Sequence, residues 1–254
     1  MDTDLTGRPM SRNLSLLQSA ENMRGKRHPP RRGFSPSNGA NKRQGGATAL
    51  VDEEVIKLVQ SVFILSDSVK TPHAVAFCGV EEGVGCSWLC ARASEVLAEQ
   101  VGASVCVVDA NLQAPSLHEY FRVENKPGLA EALRETTSVH EFVEYVERSN
   151  IWLMTAGSAV NELLYPSQVR SRAAELRSEF DFVLIDTPSI LSSGDACLLA
   201  QGTDGAILVV GFNMTRRESA RKAKEGLEAA GVGILGAVLN KRIFPIPEPI
   251  YKRL

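Results

Sequence analysis

The chain has no long apolar run. None of its 254 residues lies in a stretch approaching the ~18–20 apolar residues a membrane span needs. The opening stretch, MDTDLTGRPMSRN, lacks the apolar h-region of a secretory signal. A cytoplasmic location is expected. There is no internal repeat. Cysteine is sparse, five in all, with Cys78 and Cys106 in apolar strands and Cys197 in a helical stretch. That usage fits small buried residues rather than a disulfide framework. Cys86 and Cys90 share an i, i+4 spacing, but no third His or Cys stands near enough to complete a metal site. His73, His118 and His140 are scattered in or near loops without a nucleophile or acid beside them, and they read as surface residues.

Charge divides the chain. The first 50 residues hold nine Lys/Arg and three Asp/Glu, with four prolines, six glycines and few large apolar side chains. Such a segment cannot bury enough surface to offset its ordering entropy, so residues 1–50 are expected to form a disordered basic tail. Taken from the chain totals of 28 basic and 30 acidic residues, this leaves 19 and 27 for the rest. The tail is therefore basic and the domain acidic. A basic tail can touch anionic lipid, nucleic acid or an acidic partner, or act only as a solvated linker.

What is present is an α/β pattern. Hydrophobic residues make up 44% of the chain, and residues 51–254 suffice for one well-buried domain. Residues 52–67 carry Val55, Leu58, Val59, Val62 and Phe63 at helical spacing, which predicts a helix packed in front of the domain. Strands are expected over 74–78, 104–109, 151–155, 182–186, 205–210 and 233–239. Helices are expected near 87–100, 128–135, 166–179, 193–201 and 215–230. The strands are continuous apolar runs, the pattern of a parallel sheet buried on both faces. Alternation with helices then predicts an open, doubly wound, mostly parallel sheet. Ligands of such folds bind at the carboxyl ends of the strands, where the 79–87 loop, Asp109 and Asp186 fall. The helix over 215–230 has a basic face, read as solvated. Trp88 and Trp152 read as core or interface residues.

Residues 77–87 read FCGVEEGVGCS: an apolar strand, a glycine-containing turn, then a helix. This is the setting of a phosphate-binding P-loop. Gly83 and Gly85 permit a close backbone turn around phosphate. Ser87 stands where a hydroxyl would ligate Mg²⁺, and also where an ordinary helix cap would stand. Gly83, Val84, Gly85, Cys86, Ser87 and Trp88 are the candidate nucleotide-binding residues of the loop. Asp109 ends the strand SVCVVD and Asp186 ends FVLID. A carboxylate at the tip of a buried strand is costly unless it is paired or near a cation. Two of them beside a P-loop predict a Mg²⁺-nucleotide site of Ser87, Asp109 and Asp186, with capping or loop hydrogen bonding as the plainer role for either acid.

On these segments the chain resembles the bacterial tyrosine kinase (BY-kinase) family, cytoplasmic P-loop proteins of capsule and exopolysaccharide synthesis related to the MinD/ParA ATPases. The resemblance covers about residues 50–242, leaving 243–254 as a short C-terminal tail. It rests on GVEEGVGCS as Walker A, VCVVDANLQAPSLH as the second Walker-type segment and VLIDTPS as Walker B. GLAEALRE, GSAVNELLYPSQVRSRAAELRSEFDFVLIDTP and the late strand GILGAVLNK add to it. The resemblance implies ATP and Mg²⁺ as cofactors, catalytic roles for Asp109 and Asp186, and Asn240 near the adenine. It also implies a membrane polysaccharide co-polymerase or chain-length determinant as partner, or an active kinase paralogue. Recruitment to the inner face of the plasma membrane and a homo-oligomer follow from the same resemblance. No nucleic acid is expected.

The departures from that family all point one way. Cys86 stands where the Walker A lysine belongs. Losing one charge at ~4 Å removes about 4 kcal/mol of gross attraction for phosphate at an effective dielectric of ~20, less after desolvation. Glu81 and Glu82 add negative charge to the loop. The second segment reads Asp109-Ala110-Asn111, with an amide in place of its second acid, and Gln113 replaces a basic residue. The front helix has Glu54, Lys57 and Gln60 where the family carries an acid and two arginines. The tyrosine-rich tail is reduced to Tyr251 in PIYKRL. The reading is a degenerate family member, a pseudokinase regulating polysaccharide biosynthesis or export through protein partners, with weak or no ATP turnover. An active ATP-dependent tyrosine kinase of exopolysaccharide synthesis and a MinD/ParA-like positioning ATPase are the alternatives. Glu81, in place of an early loop lysine, counts against the last. A thiol at a helix N-terminus can ionise easily, which would make Cys86 redox-sensitive; Glu81 and Glu82 oppose that.

Overall fold

Six apolar runs become parallel strands of a seven-stranded sheet. The computed structural model describes residues 53–65, 71–146, 149–158 and 164–241. The two expected tails, Tyr251 and residues 159–163 of the long family-like block lie outside them. The strands are β1 (Ala74–Gly79), β2 (Val105–Asp109), β3 (Glu144–Val146), β4 (Ile151–Met154), β5 (Phe182–Asp186), β6 (Gly205–Gly211) and β7 (Ile234–Asn240). Their order across the sheet is β3-β4-β2-β5-β1-β6-β7, all parallel except the β3–β4 pair. Every residue of β1, β2 and β5 is buried. Strands sealed on both faces need helices on both faces, and the sequence supplies them.

On one face lie the helix over 53–59, continued by a wider π-type turn at Gln60–Ile64 (together α1), and α2 (Cys86–Val101). Val55, Val59 and Phe63 of α1 and Leu89 and Leu97 of α2 pack on Val75, Phe77, Val107 and Leu184 of the sheet. Phe63 meets Phe182 edge-on at 5.8 Å, which fixes α1 in front of the domain as its spacing predicts. Each such side chain contributes about 1.5–3 kcal/mol by leaving water. The opposite face carries α4 (Leu129–Arg134), α5 (Pro166–Glu179), α6 (Asp195–Ala200) and α7 (Arg217–Ala229) over the outward residues of the same strands. The doubly wound, mostly parallel α/β sheet is thus the observed fold.

Three elements lie outside the sequence reading. The short edge strand β3 runs antiparallel to β4. A 3₁₀ turn occupies Val139–Phe142, and a one-turn helix, α3, occupies Leu117–Phe121. All are too short for a periodic signal. Cys78 and Cys106 are buried and Cys197 is half-buried, all free thiols. Trp88 is 41% exposed and is not core. Trp152 is half-buried between Tyr145 and Phe180. His73 stacks on Phe182 and His140 meets Glu179 at 2.8 Å, both exposed. His118 is only half-exposed, and its Nδ1 is buried without a partner. The basic residues of α7 are solvated, with Lys224–Glu228 and Arg221–Glu225 pairs along the helix. No helix among the described residues is long and apolar enough to cross a membrane.

Candidate functional site

β1 ends at Gly79 and α2 begins at Cys86, so residues 80–85 must turn the chain back sharply. Gly83 and Gly85 make the turn, at φ +74° and +83°, values that a side chain disfavours. Val84 between them is buried and acts as the loop's apolar anchor. Outward ties fix the rest. Val80 N–H donates to Val209 O at 3.0 Å, and Asn240 Nδ2 donates to Val84 O at 2.8 Å. Leu89 N–H donates to Gly85 O at 3.1 Å and closes the first turn of α2. Among the described residues, no backbone carbonyl accepts from the N–H groups of residues 83–88. The loop therefore points its carbonyls into the protein and leaves its donors free at the positive end of a 16-residue helix, which is what binding an anion requires.

Asp186 closes β5 beside this helix start. It is fully buried, and neither carboxylate oxygen has a hydrogen-bond partner. Burial pushes its pKa up to about 7, and the nearby Asp109 charge adds to the rise. The Ser87 hydroxyl and Cys86 thiol lie beside it and favour its charged form, although neither closes a hydrogen bond of normal geometry. Two orphaned hard oxygens next to a hydroxyl are the donor set that Mg²⁺ takes together with phosphate oxygens. Ser87 and Asp186 would hold the ion, which would supply charge neutralisation for a bound phosphate chain.

Asp109 stands next to Asp186 across the β2–β5 register but is occupied differently. Its Oδ2 accepts from the N–H groups of Ser116 and Leu117, each at 2.9 Å, and its Oδ1 from Asn111 N–H at 3.3 Å. Burial raises its pKa, and these bonds oppose the rise. Asp109 thus holds the segment entering α3. Asn111 is half-buried, its Oδ1 accepting from Ala114 N–H at 3.4 Å, and Gln113 is exposed.

Cys86 is half-buried. Burial first, then the Asp186 charge and the Cys78 and Cys90 sulfurs, pushes its thiol well above the usual value. It is a neutral thiol, and the redox-sensitive reading of it does not fit. Cys90 is buried in α2, and no cluster of metal-ligating side chains occurs among the described residues. Glu81 is half-buried and Glu82 exposed. On α1, Lys57 pairs with Glu53 and Glu54 at 3.0 Å each.

The structure thus brings Gly83, Val84, Gly85, Cys86, Ser87, Asp186 and Asn240 together. Asp109 adjoins the group, while Trp88 is turned to solvent. Asn240 was expected near an adenine; here its amide grips the loop backbone. Two positions escaped the sequence reading. Thr187 locks the end of β5 to β1, its N–H and hydroxyl both reaching Phe77 O at 3.1 Å. Lys241 follows Asn240, with its Cε beside Gly85; it closes the family-like segment GILGAVLNK, which did not by itself single it out.

Fold and loop together define a P-loop nucleoside-triphosphatase architecture of MinD/ParA type. The chain is similar in structure to MinD of Pyrococcus horikoshii complexed with Mg-ADP (TM-score 0.59, 22% identity, 71% of this chain and 76% of that one). It is also similar to the kinase domain of Escherichia coli tyrosine kinase ETK (TM-score 0.70, 24% identity, 78% and 79%). In sequence it is 34% identical over 161 residues to tyrosine-protein kinase YwqD of Bacillus subtilis, covering 62% of this chain and 68% of that protein. The chain belongs to the bacterial tyrosine kinase family. Its match to tyrosine-protein kinase ptk of Acinetobacter johnsonii, at 27% identity, covers only 23% of that longer protein. No family model matches the chain.

Proposed function

We propose that this protein is a regulatory pseudokinase of the family. It keeps a phosphate-binding frame, transfers phosphoryl groups very slowly or not at all, and modulates polysaccharide synthesis or export through protein partners. The observation that carries this reading is Cys86, a neutral thiol in the position of the family's lysine, packed against Asp186. Phosphoryl transfer is mostly positioning and charge stabilisation. Free loop amides and the Ser87–Asp186 pair support weak Mg²⁺-nucleotide binding. No described residue of the loop brings the positive charge that would stabilise transfer. The partner is a membrane co-polymerase or chain-length determinant, or an active kinase paralogue, which would recruit this protein to the inner face of the membrane.

An active tyrosine kinase is the second reading, favoured by the intact amide cradle beside the orphaned Asp186. Purified protein incubated with Mg²⁺-ATP separates the two. The pseudokinase reading expects no ATP-dependent phosphotyrosine on the protein or on added tyrosine peptides. Robust incorporation that Asp186→Asn abolishes would overturn it.

A further inference from the structure

The loop that lacks a lysine has one laid over it from another strand. Lys241 follows Asn240 at the end of β7 and adopts φ +58°, a left-handed backbone uncommon for a residue with a side chain. From there its stem folds back over the loop: its Cε lies 3.7 Å from the point where a Cβ on Gly85 would sit. Asn240 packs against the same point, its Nδ2 only 2.6 Å away. The two consecutive residues thus clamp Gly85 from one side, the amide through Val84 O and the lysine through its stem. The ammonium, one bond beyond Cε, remains exposed with no ion-pair partner among the described residues. The loop it flanks carries the free amides of residues 83–88, and the helix that follows starts beside the two unpartnered and buried oxygens of Asp186.

We propose that Lys241 is a nucleotide-binding residue that meets the phosphate chain of a nucleoside di- or triphosphate held on the 83–88 amides. It thereby replaces from β7 part of the positive charge that Cys86 does not provide. The inference rests on the nucleotide-binding part of the function proposed above. A cation in this place strengthens binding without reaching the transferred group from inside the loop, so it is compatible with a protein that binds nucleotide and barely turns it over. Its charge approaches from the Gly85 side, whereas a lysine at position 86 would stand on the helix beside Asp186.

Calorimetric titration of the full chain with Mg²⁺-ADP, Mg²⁺-ATP and adenosine tests this, on wild type, Lys241→Met, Lys241→Arg and Cys86→Lys. Methionine keeps the stem over Gly85 and removes the charge. The expected result is about a tenfold loss of ADP and ATP affinity in Lys241→Met, the size of one charged hydrogen bond. Adenosine binding should be unchanged, Lys241→Arg near wild type, and the difference smaller at high salt. Equal losses for ADP and adenosine, or no loss at all, would overturn the inference while leaving the nucleotide reading intact. A wild type that binds nothing also overturns it, because Lys241 then fails to replace the missing charge. In that case binding by Cys86→Lys would show the frame to be sound, and silence of both would remove the nucleotide reading as well.

Discussion

Asp109 and Asp186 are paired across adjacent parallel strands, yet only one of them is hydrogen-bonded. Asp109 accepts three backbone N–H groups, so its charge is compensated where it sits. Asp186 accepts none and stands next to that charge, so it carries most of the electrostatic cost of the site. The Asp109 charge adds to the rise in the Asp186 pKa, and the two environments differ: Asp109 accepts backbone donors, and Asp186 has none.

That difference fixes a pH dependence. The folded pKa of Asp186 is near 7, against about 3.9 unfolded. The native state therefore binds more protons than the unfolded chain between these values, and stability falls as pH rises from about 4 to 7. The full shift corresponds to about 4 kcal/mol. Glu175 and Asp204 have lowered values; their stabilisation is present above the ordinary carboxylate pKa and is lost only below it. Urea melts from pH 5 to pH 8 without Mg²⁺ should show the decline, and Asp186→Asn should flatten it. Mg²⁺ should restore stability more at pH 8 than at pH 5.5, where it competes with the proton. A flat wild-type profile would mean that Asp186 is hydrated or already paired.

Cys86→Lys places a cation where the Asp186 carboxylate has no partner. The new ammonium at a helix N-terminus is slightly unfavourable by itself, but it charges Asp186 and removes the orphaned oxygens. We expect the same flattening of the pH profile as in Asp186→Asn, now with a charged acid. Affinity for Mg²⁺-ADP should rise at least about tenfold, the gain from one charge-assisted contact to phosphate. Calorimetry and the melts read the two effects separately.

The sheet was legible because its strands are unbroken apolar runs: Val105–Asp109 and Phe182–Asp186 could not be half-exposed. The loop was legible because Gly83 and Gly85 sit between a strand and a helix. What escaped depends on contacts far apart in sequence. Nothing local distinguishes Asp109 as a helix-holding acid from Asp186 as an orphaned one, since both end a strand. The difference is that the chain after Asp109 turns its Asn111, Ser116 and Leu117 N–H groups back onto the carboxylate, whereas after Asp186 the Thr187 and Ile190 N–H groups bond to Phe77 O and Gly79 O of β1. Trp88, read as a core or interface residue, is 41% exposed and so is not core. Arg172, on the same polar helix as exposed charges, is buried, and no local pattern marks it.

Arg172 leads to a stability prediction. Its guanidinium donates to Ala132 O at 2.5 Å, to Thr137 O at 2.8 Å, and to Glu135 O, and it pairs with Glu175 at 2.5 Å. Glu175 in turn accepts from Val139 N–H at 2.9 Å. One side chain thus satisfies the carbonyls at the end of α4 and the turn behind it. Arg172→Met keeps the stem and strands these groups, so a loss of about 3 kcal/mol is expected. Lysine should not rescue it, because a single ammonium cannot span the fork of carbonyls. Denaturant unfolding of both variants checks this; a loss under 1 kcal/mol would show that water replaces the guanidinium.

Asn240 allows the loop to be loosened without touching its sequence. Its amide holds Val84 O, and Val84 carries the turn between two glycines whose backbones have no side-chain restraint. Asn240→Ala leaves that carbonyl unpaired and should cost about 1 kcal/mol. The cost should appear locally. Leu89 N–H, bonded to Gly85 O at the first turn of α2, should exchange with solvent faster, while the amides of β1 keep wild-type protection. Nucleotide affinity should fall in parallel, since disordered amides must be ordered again on binding. If stability falls but Leu89 exchange does not change, Asn240 acts by pinning β7 to the sheet rather than by shaping the loop.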